Sequence, residues 1–222
     1  MARDMYGSMS GSSAWMMPAE WDATHLTLLL AMWAVMMTGI MLPSASPTIL
    51  LYAGTVRATS PARAAGHAYA FTGGYLVVWT LFAVAAVVIQ RLLSSALILT
   101  PMMEISSNRA ASVVLALAGL YQLTPFKNKC LAACQSPAVF ISNHWRPGAS
   151  GGFRMGMEHG VYCLGCCWAL MLLLFVGGVM HLATIGLLTV FVLLEKVLPL
   201  GPHARWFTWA SGSLLLMVAG WL

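Results

Sequence analysis

Residues 68–90 read AYAFTGGYLVVWTLFAVAAVVIQ, without one charged side chain. A helix needs about 20 predominantly apolar residues to cross a hydrocarbon core, and this stretch supplies them. Working outward, comparable runs occupy 24–43, 109–125, 161–182, 184–199 and 205–222. The pattern predicts an all-α fold, a polytopic transmembrane helical bundle of about six spans. Five to seven spans satisfy it, because the run at 109–125 is short and the uncharged stretch 161–194 requires a tight turn, expected between His181 and Gly186. The segment 92–108 is interrupted by Pro101 and Glu104, so it is expected to lie at the interface or to extend the second helix.

Composition agrees with this pattern. Of the 222 residues 60% are apolar and only 8% charged, against about 25% charged in a soluble domain. A soluble globular fold is thereby excluded, and no length remains for a second domain. The net charge of +5 is scattered among loops and forms no basic stripe, so nucleic acid is not an expected partner. The first 23 residues have no apolar core before a small-residue cleavage site, so they are expected to be an outward-facing tail rather than a secretory signal. Residues 24–222 form the single transmembrane domain, with a Cys- and Gly-rich connection at 126–160. Alternating the loops places Arg57, Arg63, Lys127, Lys129, Arg146, Arg154, Lys196 and Arg205 on one side, against Arg3, Arg91 and Arg109. By the positive-inside rule the larger group is cytoplasmic and the N-terminus faces outward.

All five cysteines fall between 130 and 167. Cys130 and Cys134 are one helical turn apart. His159, Cys163, Cys166 and Cys167 follow at i, i+4, i+7 and i+8, which on a helix is one face. Both sets are predicted near the cytoplasmic ends of spans, at similar depth. Thiolates and imidazole are soft donors that suit Cu(I) first, then Zn(II) or an iron–sulfur unit, and do not suit Mg or Ca. A reducing cytoplasm disfavours a disulfide framework. The Gly-rich stretch 146–152 is read as the freedom that lets the connection fold back. Two other readings stand beside the metal site: cysteine as a small buried hydrophobe, and thiol redox exchange at Cys163-Leu-Gly-Cys166.

Methionine is also abundant, at 16 residues. Met32, Met36, Met37 and Met41 form a stripe down the first span, which serves either as a thioether path for Cu(I) or as packing. Met5, Met9, Met16 and Met17 in the tail carry the same two readings. Glu195 is a candidate extra ligand, a partner for His159, or a neighbour paired with Lys196 or Arg205. Lys196 is read as snorkelling to the interface. His181 and His25 fall at outer span ends and His181 is a secondary candidate ligand, whereas His144 and His203 lack partners at diagnostic spacing. There is no Walker loop, dinucleotide fingerprint or catalytic triad, so neither nucleotide binding nor a catalytic constellation is expected.

The run Tyr121-Gln-Leu-Thr-Pro-Phe-Lys-Asn-Lys-Cys130-Leu-Ala-Ala-Cys134-Gln-Ser-Pro137, then His159-Gly-Val-Tyr-Cys163-Leu-Gly-Cys166-Cys167-Trp-Ala-Leu-Met171 and Leu194-Glu195-Lys196, resembles a bacterial family described as predicted metal-binding integral membrane proteins. The resemblance covers about residues 25–220 and implies a multi-span helical protein of the bacterial cytoplasmic membrane. It also implies a metal site at Cys130, Cys134, His159, Cys163, Cys166 and Cys167. Met180-His181, where that family is expected to carry Met-Asn, departs from the pattern. The leading expectation is a membrane protein that handles or delivers a soft metal, copper foremost and zinc second. The alternatives are an accessory subunit of a larger membrane complex and a membrane thiol redox protein.

Overall fold

The computed structural model describes residues 23–96, 99, 104–197 and 204–222. The N-terminal tail with Met5, Met9, Met16 and Met17, and likewise His203, lie outside the described residues. Helix α1 spans Ala23–Thr59, and a 3-10 turn at Pro61–Arg63 leads into α2, Ala64–Ser95. Then come α3 (Asn108–Gln122), α4 (Pro125–Gln135), α5 (Pro137–His144) and α6 (Gly148–Met171). Short α7 (Leu173–Gly177), α8 (Leu182–Val197) and α9 (Ala204–Trp221) complete the order.

The all-α expectation holds, but the helices differ in extent from the apolar runs. Among the described residues three stretches are long and apolar enough to cross a membrane: Ala23–Thr59, Pro61–Ser95 and Gly148–Gly177. Helices α3 and α8 have 15 and 16 residues, about 23 Å of rise against a hydrocarbon core of about 30 Å. The first span was expected to end at Pro43, yet α1 runs on to Thr59 with Pro43 and Pro47 inside it. Pro47 cannot donate to the carbonyl of Pro43, and Ser46 Oγ takes that carbonyl at 2.8 Å, so the lost backbone bond is replaced locally. Between 92 and 108, α2 extends to Ser95 and an isolated antiparallel bridge joins Leu99 to Ile105.

The 126–160 connection is helical rather than loose. Thr124 opens α4, its hydroxyl accepting from the Lys127 N–H at 3.3 Å with Pro125 in the first turn, and α5 likewise carries Pro137 in its first turn, without a side-chain cap from Ser136. Residues 148–152 begin α6 instead of serving as a hinge. Their use is close approach. A Cβ on Gly156 would overlap the backbone of Phe71, one on Gly74 the backbone of Phe153, and one on Gly160 would meet Val78 at 3.0 Å. Gly152, Gly156 and Gly160 thus form a small-residue face at i, i+4, i+8 on which α2 lies, the most extensive helix contact in the chain. The matched positions rise together in number, so α2 and α6 run parallel.

Helix α1 packs on α2, α4 on α6, and α3 pairs with α9 through Gly119 and Gly212. The turn expected between His181 and Gly186 lies just before it. Gly178 adopts φ 85°, which favours glycine, and the His181 N–H returns to the Gly178 carbonyl at 3.1 Å. The main core joins α1, α2, α4, α6 and α8, and the cysteines lie inside it.

Candidate metal-handling site

Helix α6 directs Cys163, Cys166 and Cys167 inward, each at most 1% exposed. Helix α4, crossing α6, brings Cys134 against them. Cys134 lies near enough to interact with the thiols of Cys163 and Cys166, Cys163 interacts likewise with Cys167, and Cys166 Sγ stands 3.3 Å from Cys167 Sγ. Cys166 also donates to the Cys163 carbonyl at 3.1 Å. All five cysteines are free thiols. The two sequence sets, separated along the chain, therefore meet in space through Cys134.

Cys130 meets a different neighbour. Its sulfur lies where a Cβ on Gly165 would come within 2.8 Å, so it packs over that glycine, outside the thiol contacts of the other four. Helix α4 is not the wet segment the flanking lysines suggest: Cys130 is 8% and Cys134 7% exposed, and Lys127 is fully buried. Burial raises the Cys130 thiol above its ordinary range. The hydrogen bond with Cys163, aided by burial, raises Cys134 well above it. Both thiols stay protonated near neutrality until something displaces the proton.

Lys196 is the residue that sequence reasoning misplaced. It does not snorkel. It is buried on the last turn of α8, and its Nζ donates to Cys163 Sγ at 2.8 Å and to Ser44 Oγ at 3.2 Å, with Met41 Sδ at 3.8 Å. The Tyr75 hydroxyl also faces Cys163 Sγ at 3.0 Å and donates to the Met41 carbonyl at 3.1 Å. Cys163 is thus the sulfur that Tyr75 of α2 and Lys196 of α8 both address, and Met41 and Ser44 of α1 hold those two side chains. The local signal was slight: Glu195 and Lys196 are adjacent, so their side chains leave the helix about 100° apart and meet different neighbours.

Glu195 points the other way and pairs with Lys127 at 2.7 Å, both buried. It is a partner neither of His159 nor of Lys196, and its Oε2 has no hydrogen-bond partner among the described residues. The Gln135 amide, donating to the Glu195 carbonyl at 2.8 Å, adds a second tie between α4 and α8. His159 sits one turn before Cys163, ringed by Phe140, Tyr75 and Phe71 at 5.0, 5.8 and 6.0 Å between centroids. Its Nδ1 is buried and without a partner among the described residues.

Met37 and Met41 are core residues. Met32 and Met36, with Met180, instead line an open apolar groove of about 690 Å³ between α1 and α8. His181 is exposed at the α7–α8 turn, where Thr184 Oγ1 holds its Nδ1 at 3.2 Å.

Among the described residues no three His, Cys, Asp or Glu side chains are arranged to hold a metal ion. What the arrangement offers is thiols in contacting pairs, a donor number adequate for a soft monovalent ion and short of the four ligands of structural zinc. Residues 30–222 match the model of family PpoB2, described as copper chaperone. No curated protein and no solved structure matches the chain.

Proposed function

The chain belongs to the PpoB2 family of copper chaperones, and from this premise we propose that it carries Cu(I) as cargo on paired thiolates around Cys163 and hands it to an acceptor protein. The observation that carries this reading is the group of buried free thiols on α6, with Cys166 Sγ 3.3 Å from Cys167 Sγ beside Cys163, and with Cys134 of α4 interacting with Cys163 and Cys166. Thiolate donors select Cu(I) over hard cations, and a low coordination number leaves the ion open to attack by an acceptor's thiolate, which is what delivery requires. Zinc is the lesser cargo. His159, one turn away with Nδ1 unpartnered among the described residues, stands outside the thiol pair as a neighbour rather than a third donor.

The same reading places the protein in a bacterial cytoplasmic membrane, N-terminus outward, with α3, α8 and α9 completing six crossings around the three long helices. The mean hydropathy of +0.82 supports it. The test is elemental analysis of the full-length protein, purified in detergent and loaded with Cu(I) under reducing conditions. Wild-type protein is expected to retain copper and the Cys134→Ser/Cys163→Ser variant to lose most of it. Equal stoichiometry in the two overturns the assignment.

A further inference from the structure

We propose that Lys196 sets the metal preference of this site, its fixed positive charge favouring a monovalent ion on a thiolate pair over a divalent one. The proposal rests on the Cu(I) reading above and adds to it the reason for a buried ammonium among sulfurs. A lysine does not take that place without cause, since a buried cation is costly unless compensated. Among the described residues its Nζ donates to Cys163 Sγ at 2.8 Å, to Ser44 Oγ at 3.2 Å and toward Met41 Sδ at 3.8 Å, and none of these partners is a carboxylate. Glu195, the adjacent carboxylate, faces away and is spoken for by Lys127. The charge that balances Lys196 must therefore come from the sulfurs.

The charge count then discriminates between ions. Two thiolates with Cu(I) carry one net negative charge, and the ammonium of Lys196 brings the buried group to neutrality. Two thiolates with Zn(II) are already neutral, and the ammonium leaves one positive charge in a dry core. The lysine also repels a divalent ion twice as strongly as a monovalent one at the same point. Zinc could restore neutrality by taking a third thiolate, but no three such side chains among the described residues are arranged for that. The sulfur that balances Lys196 is already a thiolate, so only the second ligand's thiol releases a proton to solvent as the ion binds, and no electron changes hands.

The experiment compares wild type, Lys196→Met, Lys196→Gln and Lys196→Arg as full-length detergent-purified proteins, each titrated with Cu(I) against a chromophoric Cu(I) chelator and with Zn(II) against a zinc indicator. Methionine and glutamine keep a flexible chain and remove the charge, whereas arginine keeps the charge. Two neutral variants are used so that one poorly folding protein does not decide the matter. The ratio of Cu(I) to Zn(II) affinity is expected to fall at least about tenfold in the neutral variants, chiefly through tighter zinc, and to be restored by arginine. An unchanged ratio in a folded neutral variant overturns the proposal, as does an arginine variant that behaves like methionine. Absence of Cu(I) binding by wild type overturns the copper reading itself, which is a separate result.

Discussion

Cys130 and Cys134 are one turn apart on α4, yet only Cys134 reaches the α6 thiols, while Cys130 packs on Gly165. Cys130→Ser should therefore leave copper stoichiometry unchanged, and Cys134→Ser should reduce it, as read by elemental analysis of matched preparations. Equal losses would mean that the two thiols act as one unit. The raised Cys134 thiol gives a second expectation. A metal that ligates it must displace a proton, so apparent Cu(I) affinity falls as pH falls, by up to about tenfold per pH unit for each proton displaced. Competition titrations across the neutral and mildly acidic range should give this slope, and a shallower one in Cys134→Ser. The helical spacing of the cysteines was readable in the sequence, because the period of 3.6 is local. Which of them meet was not, because Lys196 lies 33 residues from Cys163 and 152 from Ser44, and burial reverses what a terminal lysine ordinarily does.

Two helix contacts hold that arrangement, and each can be tested at the scale of elements. Between α2 and α6 the small-residue face leaves no room for a side chain at Gly156. Gly156→Ala is expected to cost about 1–3 kcal/mol through forced separation of the backbones, measured by unfolding in mixed detergent, whereas Gly66→Ala, with open space around it, should be near neutral. Between α4 and α8 the buried Lys127–Glu195 pair fixes how Cys134 is offered to α6. Glu195→Gln strands a fully buried ammonium and should destabilise by about 3–5 kcal/mol, while the double change Lys127→Met/Glu195→Leu should recover most of that. A single variant as stable as wild type would show that the pair is solvated in solution. Gly73-Gly74 inside an apolar run reads as a place of close helix approach, and Gly74 does abut the Phe153 backbone; the 146–152 stretch instead reads as chain freedom, since composition alone does not distinguish a hinge from a face, and only the i, i+4, i+8 spacing and a partner helix do.

At the scale of the molecule, the parallel run of α2 and α6 ties the ends of the chain's connections together. The turn at 60–63 and the start of α6 at 148 lie at one end. At the other end the Ile105 N–H donates to the Phe175 carbonyl at 2.9 Å, and Gly178 abuts Glu104, so 104–107 and the α7–α8 turn share a level. This matches the alternation of loops derived from the apolar runs, even though the number of crossings was not legible: 15- and 16-residue helices such as α3 and α8 are apolar but short. The charge count behind the orientation weakens by two, because Lys127 and Lys196 are buried; of the remaining described side chains Arg57, Arg63, Lys129 and Arg154 are exposed and Arg146 is half-buried at one end, against exposed Arg91 and Arg109 at the other. The bias keeps its sign, so the proposed orientation, with the 60–63 turn toward the cytoplasm, remains the one the positive-inside rule favours. Periplasm-dependent alkaline phosphatase fused after Ser95 should be active and the same enzyme fused after Ser60 inactive, with a cytoplasm-dependent fluorescent reporter giving the reverse. Activity at both positions would place the two ends of α2 on one side, and neither the crossing nor a thiol site facing the cytoplasm would then stand.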